Sequence, residues 1–218
     1  MAMINYAPPT SPYLDIMYQD EDILILNKPS GLLSVPGKAT EHKDCLQYRA
    51  QRVLPTATIV HRLDMATSGL LVMAMNKAAH RHISKQFELR QTSKSYIAVV
   101  YGQIGQESGE IDLPLICDWP NRPKQMVDHS RGKSAQTHWR VLNRQGSKTR
   151  LELTPITGRS HQLRVHMLSI GHPILGDRLY AHEQALGMSS RLLLHAQTLS
   201  FKHPQLEQTM TFNCPVPF

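Results

Sequence analysis

The sequence predicts an α+β fold, a single domain in which a mixed, mainly antiparallel β-sheet is flanked by helices. Three observations carry that expectation. Strand-like runs outnumber helix-like ones and follow no strand–helix–strand rhythm. No internal repeat on the order of 20–50 residues and no low-complexity tract is present. No Gly/Ser linker or shift of composition divides the 218 residues, so residues 1–218 are expected to form one domain.

The elements follow in order. The opening dozen residues, rich in Pro and Ser, read as an ordered arm or a frayed end. DIMYQDEDILILNKPSG (15–31) gives two short apolar strands around an acidic turn at Gln19–Asp22. NKPSGLLSVPG (27–37) is a loop, because two Pro and two Gly leave little room for regular structure. Residues 42–53 suit a helix stopped by Pro55. HRLDMATSG (61–69) is a polar loop, and LLVMAM (70–75) after it is a buried strand. Asn76 is the candidate N-cap of a helix over 77–90 that turns Ile83 and Phe87 inward. SYIAVVYG (95–102), β-branched and aromatic, is a strand, and GEIDLPL, THWRVL and KTRLELTPI give more. Residues 160–170 fit a helix with Ser160 as N-cap and Gly171 as its stop. RLLLHAQTLSFKH and TMTFNCP close the chain as two strands.

Charge narrows the function. The net charge is +7, and residues 1–30 hold one Lys and four acids, so the rest of the chain carries +10. A basic body favours polyanions, of which nucleic acid is the commonest. The longest apolar run is about six residues, where a bilayer span needs ~20, so no membrane partner is expected. The start of the chain shows no basic region followed by an apolar core, so no signal peptide is expected. Cys45, Cys117 and Cys214 lie far apart with no CxxC, which fits a reducing cytoplasm and inert thiols.

Several catalytic signatures fail. HRLD is not the HRD loop of a kinase, and no Gly-rich loop precedes it. There is no GxSxG, no GxxxxGK[ST] and no HExxH. His161 and His166 are five apart and diverge around a helix. Neither a metal nor a cofactor is expected. Asp64 remains open on its residues alone: a loop Asp makes an Asx turn or a salt bridge, or it serves as an ionised carboxylate kept charged by a nearby cation. TGRSHQLRVH (157–166) offers Arg159 and Arg164 for that cation.

HRLDMATSGLLVMA, with NKPSGLLSVPG before it and GRSHQLRVHM after it, resembles the pseudouridine synthases of the RluA family. KSYIAVVYG, LPLICDWPNRPKQ, HPILGDRLY and RLLLHA extend the match over nearly the whole chain, in order. The resemblance implies the pseudouridine synthase fold with a central RNA-binding cleft and no S4-like module. It implies that Asp64 is the catalytic aspartate, that Arg164 pairs with it, and that Tyr96 serves the uracil. It implies further that Arg62 fills the space of a flipped nucleotide, that Leu163 packs against the base, and that His61 shapes the loop where substrate binds. Arg122 and Lys124, with Arg131 and Lys133, form a basic loop suited to phosphate. The implied partners are a tRNA anticodon stem-loop and a 23S ribosomal RNA hairpin, with no protein partner and a cytoplasmic monomer as the default. Two other classes stay open on the residues: an RNA-binding protein whose site is incidental, and a hydrolase that frees uracil.

Overall fold

A computed structural model describes residues 6–218. Of the opening arm, residues 1–5 lie outside the described ones, and the rest is tied down at Tyr6, Pro9 and Tyr13 while residues 10–13 are exposed. The Tyr6 phenol donates to the carbonyl of Asp44 at 2.7 Å and accepts the N–H of Leu33 at 3.0 Å. Arg49, fully buried, forks onto the Asp44 carboxylate at 2.7 and 2.6 Å and donates to the carbonyls of Pro9 and Tyr13. That guanidinium holds the Asp44 carboxyl below the usual carboxylate range.

The elements run β1 (Ile16–Gln19), β2 (Ile23–Lys28), α1 (Leu46–Val53), β3 (Thr58–Ile59), β4 (Ser68–Ala74) and α2 (Lys77–Glu88). Then come β5 (Ser93–Tyr101), β6 (Ser108–Asp112), β7 (Leu115–Cys117), β8 (Gln125–Val127), β9 (Gln136–Gln145) and β10 (Lys148–Pro155). Helices α3 (Gln162–Ser169) and α4 (Glu183–Gly187) and strands β11 (Leu194–Lys202) and β12 (Thr209–Asn213) complete the chain. The class is α+β, and the chain forms two compact units. One takes residues up to Ser93 with Ala196–Val216; the other takes Lys94–His195 with Pro217–Phe218.

In the first unit the strands run β1-β2-β4-β11, with β3 on β4 and β12 on β11. β2 pairs antiparallel with both β1 and β4. Every residue of β4 is buried, which is why LLVMAM shows no alternation: both faces are covered. Ile23, Ile25, Leu70 and Val72 pack with Ala79 and Ile83 of α2, and Phe87 is partly buried against them. Each such aliphatic side chain contributes about 1.5–3 kcal/mol on burial. Asn76 caps α2 as expected, its side chain accepting the N–H of Ala79 at 2.9 Å.

Helix α1 starts four residues later than the expected 42, because its first N–H groups are claimed from outside. Leu46 and Gln47 donate to the carbonyls of Leu33 and Ser34, and the Cys45 thiol accepts from Tyr48. Burial pushes that thiol's pKa up, and all three cysteines are free.

In the second unit the order is β5-β10-β9-β6, with antiparallel neighbours, and β7 pairs with β8 as a separate hairpin. Helix α3 is buried on all sides from Gln162 to Met167. Its N-cap is His161, in the left-handed region at φ 54°, rather than Ser160. Gln162 explains the shift. Its side-chain oxygen accepts the N–H of Arg159 and the Thr157 hydroxyl, so the turn is closed from inside the helix. Gly171, at φ 83°, follows the helix end as expected. Among the described residues no helix is long and apolar enough to cross a membrane.

His166 on α3 is fully buried. Its Nε2 lies 3.1 Å from the carbonyl of Leu113, which can only accept, so Nδ1 accepts from Thr137 at 2.9 Å. Burial pulls the His166 pKa below its ordinary 6.5. The unfolded chain therefore takes up this proton first, and stability present above 6.5 is lost as pH falls through that value toward the lower native one. Urea unfolding at about pH 7.5 and about pH 5 should show the loss, at a slope of no more than about 1.4 kcal/mol per pH unit from this group. His166→Gln should flatten the slope, and an unchanged slope would mean the ring is not the group that titrates.

Candidate active site

Two loops far apart in sequence make the first unit's polar centre. The turn of HRLDMATSG is closed by the Thr67 N–H on the carbonyl of Asp64 at 3.1 Å. NKPSGLLSVPG clasps it. Ser34 donates its hydroxyl to the carbonyl of Leu63 at 2.7 Å and accepts the N–H of Leu63 at 3.1 Å. The Gly31 N–H reaches the carbonyl of Met65 at 2.8 Å, and the Ser30 hydroxyl that of Ala66 at 2.7 Å. The fully buried Lys28 ammonium donates to the carbonyls of Pro29, Leu32 and Met65 at 2.9, 2.7 and 3.1 Å. The backbone on both sides of Asp64 is thereby pinned, and its carboxylate is half-buried.

The rest of the motif is scaffold apart from one side chain. His61 accepts the N–H of Val72 through Nε2 at 3.0 Å, and its ring stacks on Phe87 with centroids 4.5 Å apart. Thr67 and Ser68 are buried. Gly69 has φ +108°, and a Cβ there would stand 2.3 Å from the carbonyl oxygen of Ala196. Arg62 is exposed.

Asp20, Asp22 and His203, also in this unit, bring their ligand atoms within 4.8 Å of one another. Those atoms are engaged in closing a turn. Asp20 accepts the N–H groups of Asp22 and Ile23, the Tyr18 hydroxyl and His203 Nε2. Burial pushes the Asp20 carboxyl up, but these bonds outweigh it and hold its pKa below the usual range. Asp22 accepts from Asn76, and His203 Nδ1 accepts from the N–H groups of Gln205 and Leu206.

The second unit holds the other expected residues. Tyr96 is half-buried on β5, opposite Leu153 of β10. Leu163 and Arg164 are consecutive and buried on α3. The Arg164 guanidinium forks onto Asp177, with Nε to Oδ2 at 2.8 Å and Nη2 to Oδ1 at 2.7 Å. Its face lies over the Tyr180 ring at 5.0 Å. The Tyr180 hydroxyl pairs with His161 Nδ1 at 2.6 Å and accepts the N–H of Gln125, at the start of β8, at 2.8 Å. Asp177 and Tyr180, the partners that hold Arg164, are residues that sequence reasoning missed. The available signal was an acid set in the apolar run HPILGD, where a buried carboxylate requires a cation. Arg122 and Lys124 lie in the turn between β7 and β8; Arg131 and Lys133 follow β8, and Arg131 pairs with Asp128 at 2.9 Å.

Comparison with known proteins shows the family of the chain. The RNA pseudouridylate synthase family model matches residues 22–169, a span that contains Asp64, Tyr96 and Arg164. The chain is 56% identical over 219 residues, 100% of both chains, to dual-specificity RNA pseudouridine synthase RluA of Escherichia coli K12. It is 58% identical over 204 residues to the protein of that name from Yersinia pestis, covering 93% of this chain and 99% of that one. Among solved structures, human RNA pseudouridylate synthase domain containing 1 matches with a TM-score of 0.81 at 29% identity. That match covers 97% of this chain and 87% of the human one.

Two variants test the supports. Lys28→Met removes the donors to three carbonyls and should cost about 1–3 kcal/mol of stability. Asp177→Asn leaves a buried guanidinium beside a neutral amide and should cost about 3 kcal/mol or more. Both are read by urea unfolding, and a loss well under about 1 kcal/mol for either would show that its contacts do not hold the element in place.

Proposed function

The chain belongs to the RNA pseudouridylate synthase family and isomerises uridine to pseudouridine in RNA, and from that premise we propose which residues do the work and on which RNAs. The reaction breaks the N1–C1′ bond and forms a C5–C1′ bond. The C5 proton leaves to water and N1 ends protonated, so atoms and electrons balance without a co-reactant. Asp64 acts at the ribose, by attack on C1′ or by taking the C2′ proton. Arg164 supplies the fixed positive charge, and Asp177 and Tyr180 hold it in one orientation. Tyr96 offers a ring for uracil to stack on and an oxygen for the departing C5 proton. Leu163 packs against the base. Arg62 fills the place of the flipped nucleotide, offsetting part of the few kcal/mol that flipping costs. His61, Arg122 and Lys124 complete the RNA-binding set, His61 by shaping the loop.

The observation that carries the assignment is the clasp around Asp64: four hydrogen-bond donors on NKPSGLLSVPG, from Lys28, Ser30, Gly31 and Ser34, fix the backbone of Leu63, Met65 and Ala66 on either side of one carboxylate. Such fixing is what a catalytic group needs and what a solvated surface Asp does not. The RNAs are a tRNA anticodon stem-loop and a 23S ribosomal RNA hairpin. Support comes from full-length identity to relatives named as dual-specificity RNA pseudouridine synthases. Two unlike RNAs served by one site fit recognition by loop shape. The enzyme works in the cytoplasm as a monomer, without metal or cofactor.

Stem-loops of both RNAs, tritiated at C5 of uridine, provide the assay. Wild type should release tritium to water from both with no added metal or nucleotide. Asp64→Ala should release at least about 100-fold less while unfolding like wild type in urea. Free uracil among the products would mean hydrolysis, and silence on both RNAs would remove them as substrates.

A further inference from the structure

Trp119 is 65% exposed, while the other tryptophan, Trp139, is 6% exposed. A large aromatic ring left in water is a common feature of binding surfaces, because it carries much contact area with little rotamer entropy to lose. Here one face of the ring is already occupied. The Arg122 guanidinium lies over it, 4.5 Å from the centroid, and the ring remains exposed beyond that contact.

The ring is also held on a fixed turn. It opens the 3-10 turn Trp119–Asn121 between β7 and β8. Asp118 donates its N–H to Lys124, Asn121 to Asp118 and Lys124 to Asn121, each at 3.0 Å. The next residue, Gln125, is the one bonded to Tyr180, which lies against Arg164. The surroundings are basic. Residues 113–133 carry four Lys or Arg and two Asp, 4 − 2 = +2. Both acids are engaged locally, Asp118 by Asn121 and Asp128 by Ser130 and Arg131.

We propose that Trp119, backed by Arg122, is a stacking platform for an unpaired base of the RNA substrate, an inference that rests on the RNA-modifying reading above. The base lies on the exposed face of the indole, and Arg122 and Lys124 meet the adjoining phosphates. Positive charge beside an exposed aromatic favours a single-stranded nucleotide over an apolar protein surface. Every base has a π-face, so the platform serves different loop sequences, and it gives one site a grip on two unlike RNAs.

The test uses the full chain and stem-loops in which cytidine replaces the target uridine, so that binding is read without reaction. Trp119→Ala should raise Kd about ten-fold or more, and Trp119→Phe should recover most of that loss. RNA should quench indole fluorescence in wild type and leave Trp119→Phe, which retains buried Trp139, nearly unquenched. With the reactive RNAs, the effect of Trp119→Ala should fall on KM rather than kcat. Unchanged Kd and equal quenching in the two proteins, with tritium release intact, would overturn the platform and leave the enzyme assignment standing. Failure of the wild-type protein to bind or modify either RNA would instead strike the assignment of substrates.

Discussion

A fully buried ammonium organises the loop that carries Asp64. Taking a Lys side chain out of water costs several kcal/mol, and the cost is tolerable only where its donors are satisfied. Lys28 meets that demand with three backbone carbonyls, two from its own loop and one, Met65, from the residue after Asp64. Charge-assisted bonds to carbonyls are stronger than neutral ones. The ammonium thus draws two irregular segments together where neither has a ladder to hold it. The hydroxyls of Ser30 and Ser34 and the N–H of Gly31 add the neutral part of the same clasp.

The second unit solves the same problem with the opposite sign. Arg164 needs to be rigid and charged on a helix that is buried all round, and Asp177 provides a planar partner for its planar fork. The bond is not local in sequence: thirteen residues separate the pair, and Asp177 also accepts the N–H groups of Leu179 and Tyr180. Those two bonds shape the turn that brings the Tyr180 ring under the guanidinium. One carboxylate therefore sets both the charge and the stacking surface of the arginine. Elsewhere on α3, Gln162 and His166 share Thr137 in a satisfied buried network, so the helix is fixed in rotation as well as in place.

What the sequence made legible follows from which interactions are local. The acidic turn between β1 and β2, the Asn76 cap and the glycine after α3 depend on neighbours within a few residues, and each was readable. The start of α1 was not, because carbonyls of Leu33 and Ser34 decide it. The cap of α3 was misplaced onto Ser160 because the closing oxygen belongs to Gln162, inside the helix. The β7–β8 hairpin passed for a basic loop, since strands of three residues around WPNRP show no alternation. Lys28 was invisible as a structural residue: a lysine in a Pro/Gly loop is normally solvated, and its partners are backbone carbonyls that no residue type announces.

The burial of these groups separates what each kind of change does. Lys28, Arg164 and Asp177 are buried and hydrogen-bonded, so a substitution in any of them leaves partners unsatisfied and acts on folding and on the local geometry around Asp64 or Arg164 together. Arg62, Trp119 and Arg122 are exposed, so the folded state loses little with them. Their cost to the protein is an aromatic and two cations held at the surface, and the use proposed for them is contact with a polyanion. Aim and grip are thus assigned to different side chains. The aim is set by buried polar bonds that cannot adapt, while the grip comes from exposed stacking and charge, which can meet loops of different sequence. A rigid site and a tolerant surface on one chain is the combination that the two unlike RNA substrates proposed above would require.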